Sequence, residues 1–363
     1  MDSPEVLLQD VVTERGVVVD GDTRTAIVSS FWPPATSIDA TEPLLLPTHD
    51  LNTYFDYYAR QCQVFFSHRG TLIAARTHQD LADLILGFLH DLDRHEIRAL
   101  LAKRLQIEDD SSSTSSSSSS PKLDPAVLDR TIDLAARLFV MMKLGEVPHS
   151  IAHSRALKWT QGTLGQFVRQ QFDVPPVLSC AGVKLPKLFN ARNLVRIGGI
   201  KIEWTANLAD HLRMIDDDEK VAVFCYPSFL MMHQNSGIFP EGFIQETLWT
   251  LKLLFPATDK GMRRWVNAQQ QPEMDGLVAA CGNLRAELRH IEKFRYWRDR
   301  LVVLKEVFDE AEPSSLSQWW YDRRKKVQWY TWWLAVLVLL LGASFGVAQS
   351  IEGALQVYKA FNP

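Results

Sequence analysis

Residues Val327 to Ile351 read VQWYTWWLAVLVLLLGASFGVAQSI, and no charged side chain interrupts them. At about 1.5 Å per residue the run makes a helix of roughly 37 Å, longer than a hydrocarbon core of about 30 Å. Arg323, Arg324, Lys325 and Lys326 stand directly before it, and only Glu352 and Lys359 are charged after it. Lys and Arg stay on the cytosolic side of a span, so the bias predicts residues 1–326 in the cytosol. Trp319, Trp320, Tyr321, Trp329, Tyr330, Trp332 and Trp333 surround these cations as an aromatic belt at headgroup depth. The competing reading is a buried core helix, which seldom runs this far without a charge.

Gly342, Gly346 and Ser350 fall at i, i+4 and i+8. Small residues at that spacing let two backbones approach, which predicts a homodimer through the membrane helix. Glycine is common in membrane helices in any case, which is the plainer explanation.

Working outward, 46% hydrophobic residues suffice for a globular core, and a net charge of −4 with dispersed bases gives no footprint for nucleic acid. Cys62, Cys180, Cys225 and Cys281 are far apart and form no Cys-x-x-Cys pair. This spacing fits reduced thiols better than a disulfide framework or a structural zinc site. The start, MDSPEVLLQD, has neither the apolar run of a secretory signal nor the Arg-rich character of a mitochondrial presequence. The expected class is a tail-anchored, single-pass protein. Its weakly charged tail favours the endoplasmic reticulum or another secretory membrane over the mitochondrial outer membrane, whose anchors carry basic tails.

The expected fold is mainly α: a helical cytosolic domain with a small strand–helix–strand element, plus one C-terminal transmembrane helix. The chain divides into an irregular N-terminal segment (1–45), a helical domain (46–312), a juxtamembrane and transmembrane helix (313–351) and a short non-cytosolic tail (352–363). Within 1–45, Asp20-Gly21 predicts a hairpin turn between 17–19 and 23–28, followed by a proline-rich irregular stretch. Helical stripes follow: Leu51, Tyr54, Phe55, Tyr58 and Cys62; one helix from His78 to Leu105; and another from Pro125 to Leu144. The tract SSSTSSSSSS (111–120) marks a disordered insertion at 108–123. It reads as a spacer or, alternatively, as a phosphorylated segment.

Farther on, Ile200 to Trp204 alternates as a half-buried strand. Thr205 or Asn207 is placed to cap a helix over LADHLRMI, Asp216 to Glu219 makes an acidic loop, and Val221 to Cys225 reads as a buried strand. Glu241 to Phe255 reads as a helix. Leu284, Leu288, Ile291, Phe294, Trp297, Leu301, Leu304 and Phe308 predict a long helix from Asn283 to Glu310, packed on the domain or paired as a coiled coil. Pro313 ends it, and Ser315 to Gln318 matches a capping box for the membrane helix.

Chemistry is sparse. No phosphate-binding loop, dinucleotide fingerprint, Gly-x-Ser-x-Gly or His-Glu-x-x-His occurs. His90-Asp91, near Asp93 and His95, has the form of the metal dyad of HD-type phosphohydrolases and carries the alternative of a membrane-tethered metal-dependent hydrolase. A chance pair on an amphipathic helix is the simpler account. His149 and His153, one turn apart, have no third ligand nearby. Asp210-His211 reads more simply as one face of a capped helix than as a functional pair, and Cys225, near Tyr226 and His233, as a small apolar residue ending a buried strand rather than a thiol nucleophile. No cofactor is expected. The favoured function is a cytosol-facing binding, scaffold or sensor domain with an unknown protein partner and the lipid bilayer.

Finally, LPKLFNARNLVRIGGIKIEWTANLADHL (185–212) and WWYDRRKKVQWYTWWLAVLVLLLGASFGVAQSIEGALQVYKAF (319–361) resemble segments of a group of uncharacterised proteins from filamentous fungi. The resemblance implies a fungal origin and the same topology, a helical cytosolic region with one C-terminal span. It implies no activity and no functional residue.

Overall fold

The computed structural model describes residues 19, 21–33, 51–66, 72–112, 124–146, 156–178, 182–269, 271, 273–311 and 326–361. Among them the fold is mainly α, with twelve α-helices and one small three-stranded sheet.

The N-terminal region departs from the expected hairpin: Gly21–Phe31 is a helix, α1. It buries only Thr23, Ile27 and Phe31, at i, i+4 and i+8. That stripe is too narrow to outweigh the Asp-Gly turn signal when the sequence is read alone. Trp32 follows and donates its Nε1–H to His233 Nε2 (2.9 Å), which ties α1 to residues two hundred positions away. The proline-rich stretch after Pro33 lies outside the described residues.

Helix α2 (Asn52–Phe66) follows the expected stripe: Tyr54, Phe55, Tyr58 and Cys62 are fully buried. At about 1.5–3 kcal/mol per large apolar side chain, this face alone fixes α2 against its neighbours. The helix expected over 78–105 is two helices, α3 (His78–Leu89) and α4 (Arg94–Ser112). Thr77 and Asp80 form a capping box at the start of α3. Between the helices Asp91 takes a left-handed φ of 54°. Asp93 Oδ1 accepts from Glu96 N (2.7 Å) and Glu96 Oε2 accepts from Asp93 N (2.9 Å), which restarts the chain as α4. Helix α4 runs through 108–112, where the serine-rich insertion was expected to begin; 113–123 lie outside the described residues.

Helix α5 (Pro125–Val140) has Asp124 as its cap and Pro125 in its first turn, and ends at Met141 with φ 47°, short of Leu144. Helices α6 (Leu164–Phe172) and α7 (Ala191–Arg196) lead into the sheet. Strands β1 (Lys201–Thr205), β2 (Met214–Ile215) and β3 (Lys220–Phe224) lie in the order β1-β3-β2, with β1 parallel and β2 antiparallel to β3. The connection is not the expected capped helix. It is one 3-10 turn, Leu208–Asp210, because Asn207 Oδ1 accepts from Lys143 N and makes no cap bond. The acidic loop at 216–218 is exposed, and all three aspartates have positive φ.

Helices α8 (Pro227–Met232), α9 (Phe243–Leu254) and α10 (Lys260–Ala268) complete the middle of the domain. The long helix expected from Asn283 exists only as α11 (Arg298–Glu310); two 3-10 turns occupy 286–293. Seven of the eight stripe residues from Leu284 to Phe308 are nonetheless buried, and Leu288 packs against them. A 3-10 turn returns every third residue to the same side, so the burial pattern survives without the α-helix. The stripe is core, not a coiled coil. One hydrophobic core runs from Val19 to Phe308. Helix α12 (Lys326–Phe361) contributes nothing to it. Pro313 and Ser315 lie outside the described residues.

Candidate functional site

The element most unlike the rest is α12. Its 36 residues reach about 54 Å, and the helix continues ten residues past Ile351, where the span was expected to stop. Within Trp329–Phe361 an 18-residue stretch has a mean hydropathy of 2.1, and none of it is buried against the domain. Leu337, Val338, Leu339, Leu340 and Leu341 are all about half exposed or more. Covering five such side chains is worth roughly 7–15 kcal/mol at 1.5–3 kcal/mol each, as much as a whole domain's stability. Among the described residues, one helix is therefore long and apolar enough to cross a membrane, and it is not a core helix.

At the start of α12, Trp332 and Trp333 meet edge to face with centroids 4.9 Å apart, and Trp329 lies tilted against Trp333 at 6.0 Å. Lys326 opens the helix, while Arg323, Arg324 and Lys325 lie outside the described residues. A Cβ added at Gly342, Gly346 or Gly353 would meet nothing within 4 Å. The Ser350 hydroxyl donates to Gly346 O (2.8 Å), so it is satisfied within the helix.

The catalytic candidates are not brought together. His90 is the exposed C-cap of α3 and Asp91 the exposed left-handed residue after it, so the pair forms a corner rather than lying on a helix as expected. Asp93 and Glu96 are spent on the α4 cap. His149 and His153 lie outside the described residues. Among the described residues, no three His, Cys, Asp or Glu side chains are grouped to hold a metal ion.

Two buried histidines, His211 and His233, are bound at both nitrogens. His211 Nδ1 accepts from Phe224 N (3.1 Å), so its Nε2 carries the proton and donates to Thr250 Oγ1 (2.7 Å). His233 Nε2 accepts from Trp32, so its Nδ1–H donates to Ser236 Oγ (3.0 Å). Burial lowers each pKa to about 3. Their role is to hold elements together as neutral rings. Cys225 and Cys281 are buried free thiols, and so is Cys62. Burial pushes Cys62 and Cys281 up to about 12 and Cys225 up as well, which removes nucleophilic character.

These histidines give a pH dependence. Each pKa is depressed in the folded state, so the unfolded chain binds more protons between pH 3 and about 6.5. Stability is complete above pH 6.5 and is lost as pH falls, at about 1 kcal/mol per pH unit for each ring. Denaturant midpoints of the full chain in detergent are expected to drop steeply between pH 6.5 and 5. A flat profile over that window contradicts the neutral assignment.

Sequence reasoning missed Glu246. Its Oε1 accepts from Tyr296 N and Trp297 N and its Oε2 from Arg295 N, each at 2.8 Å. Burial raises its pKa, and the three N–H donors pull against that. Beside it Trp297 Nε1 donates to Thr247 Oγ1 (2.8 Å). This carboxylate gathers the backbone just before α11 and prevents an α-helix from starting earlier. Nothing in the local pattern at 243–254 marks it, because its partners lie fifty residues away.

Two concavities have useful chemistry. A groove of about 160 Å³ between α3 and α4 has an apolar floor that includes Leu84, Ile97 and Leu101, exposed Leu100, and Asp83 paired with Arg104 at the rim. An open polar groove covers the buried ion cluster of Arg94 with Asp129 (3.1 Å) and Asp133 (2.7 Å), where Arg94 also lies over Trp159 at 4.9 Å. The cluster's charges are consumed internally, so it holds α4 to α5 rather than offering a free charge. Comparison with known proteins adds no relative: no family model, curated protein or solved structure matches this chain.

Proposed function

We propose that this protein is a membrane-anchored binding module. Helix α12 spans the bilayer, Arg323 to Lys326 stay on the cytosolic side, and the helical domain presents a surface there to a protein partner. The observation that carries this reading is the unburied apolar surface of α12 beside a domain whose buried histidines, thiols and carboxylates are committed to packing. The weakly charged stretch after Ile351 favours a secretory-pathway membrane such as the endoplasmic reticulum.

The α3/α4 groove has the chemistry of a helix-accepting surface, with an apolar floor and a charged rim. A photo-crosslinking residue at Leu100 in the full chain, in its native membrane, is expected to give one discrete protein adduct. That adduct should vanish when Ile97 is replaced by Asp. Adducts only to lipid, or none, contradict the binding role of this groove.

The open glycine face favours a second reading, self-association. Because α12 continues to Phe361, Gly342, Gly346, Gln349, Gly353, Gln356 and Ala360 recur at intervals of four and three, the seam of a left-handed helix pair. Gly342→Leu with Gly346→Leu is expected to lower crosslinked dimer roughly five- to thirtyfold, on the scale of 1–2 kcal/mol for such contacts. Unchanged crosslinking removes this reading.

A further inference from the structure

Residues 173–178, Asp-Val-Pro-Pro-Val-Leu, are all exposed, and Val177 is 81% exposed. Val174 and Val177 stand beside two exposed prolines as an apolar tip turned to solvent. This loop is also firmly placed. Asp173 pairs with Arg295 (2.5 Å), Val177 N donates to Asp299 Oδ2 (2.9 Å) and Gly182 N donates to Glu292 Oε1 (2.6 Å). It is therefore held against the segment that enters α11, the last described element of the domain before α12.

The same two segments concentrate positive charge in a chain whose net charge is −4. Residues 173–201 carry five bases and one acid, and residues 284–300 six bases and three acids. They run side by side, with Leu185 N donating to Arg289 O and Ile291 N to Val183 O. Of the exposed acids in these segments, Asp173 is paired with Arg295, which leaves Glu287 and Glu292 against exposed Lys184, Lys187, Arg285 and Lys293. An apolar tip flanked by bases matches an anionic leaflet: aliphatic side chains enter the headgroup boundary while ammonium groups meet lipid phosphates and carboxylates.

The tether permits this contact. Sixteen residue steps separate Glu310 from Lys326, a reach of roughly 50 Å at about 3.3 Å each. Helix α11 adds about 20 Å between the loop and Glu310.

We infer that the Val174–Leu178 loop and its flanking lysines form a second membrane contact, docking the domain on the anionic leaflet that receives α12. The inference rests on the membrane-anchor reading. It makes the domain a surface-bound body with a fixed orientation, not one swinging freely on its linker.

The test uses the full chain in lipid nanodiscs with a nitroxide at Val177→Cys, in a Cys180→Ser background. In discs holding about a third phosphatidylserine, the label is expected to collide more with dissolved oxygen than with an aqueous nickel chelate. The order should reverse in phosphatidylcholine discs, and also in phosphatidylserine discs when Lys184, Lys187 and Lys293 are all changed to Glu. An aqueous label in both lipids overturns the inference. So does shielding that ignores lipid charge, or that fades on diluting the protein, since those outcomes mean a protein partner or a second copy. A chain that fails to co-elute with nanodiscs overturns the anchor reading as well, which separates the two failures.

Discussion

Replacing Glu246 with alanine is expected to destabilise the domain by about 4 kcal/mol. Three backbone N–H groups, of Arg295, Tyr296 and Trp297, then lose the carboxylate that accepts from them at a position just 6% exposed. An unpaired buried donor costs about 1–3 kcal/mol, and water entering the space left by the carboxylate recovers part of the total. Glutamine keeps one oxygen at the Tyr296 and Trp297 donors and loses the acceptor for Arg295, so Glu246→Gln is expected to cost only about 1–2 kcal/mol. Denaturant unfolding of the two variants measures the difference. Equal midpoints for both variants and the parent would show that the 295–297 turn is held by Trp297 packing alone. The effect should also reach α11, because this turn leads directly into it.

Two arginines placed in the middle of α12, Val338→Arg with Leu341→Arg, are expected to abolish stable membrane association. Each arginine near the centre of a span costs about 2.5–3.5 kcal/mol on the insertion scale, so the pair costs roughly 5–7 kcal/mol and shifts the partition by at least about a thousandfold. Positions 338 and 341 are three apart and share one face, so snorkelling in opposite directions relieves little of the cost. Resistance to alkaline extraction is the readout. The paired control, Val338→Leu with Leu341→Val, should extract like the parent. If the arginine pair also resists extraction, the hydrocarbon core is not what covers α12.

These two predictions differ in how visible their residues are in the sequence. Helix α12 is legible because its information is local: an uncharged run, cations before it and aromatic rings around both. The stripes of α2, α5 and α9 are legible for the same reason, since apolar side chains at intervals of three and four report which face is buried whatever lies opposite. Glu246 is not legible, because a glutamate within an amphipathic helix looks like any solvated acid until its partners fifty residues away are brought to it. The histidines are similar. His211 and His233 are spaced like surface residues but act as neutral links whose partners, Phe224, Thr250 and Trp32, come from other elements.

Some errors had a local cure. The α3/α4 corner carries Asp93-x-x-Glu96, a capping signature that interrupts the apparent helix from His78 to Leu105. It also explains why His90-Asp91 attracts attention: polar residues gather at helix corners to satisfy backbone groups, and such a pair copies the composition of a metal dyad without its geometry. The stripe from Leu284 to Phe308 shows the converse. Its burial was read correctly, but periodicity alone does not separate an α-helix from successive 3-10 turns that keep the same side inward.

In the proposed arrangement α12 and the 173–178 loop would divide the work of orientation: α12 would fix the chain in the bilayer, and the loop would set which face of the domain looks away from it.

The central claim is that α12 crosses a bilayer with the domain on the cytosolic side. Protease protection on sealed microsomes bearing the full chain tests it most directly. Added protease should digest the helical domain and leave a protected fragment of a few kilodaltons containing α12. A protected domain, or complete digestion of α12 in intact vesicles, would contradict the account.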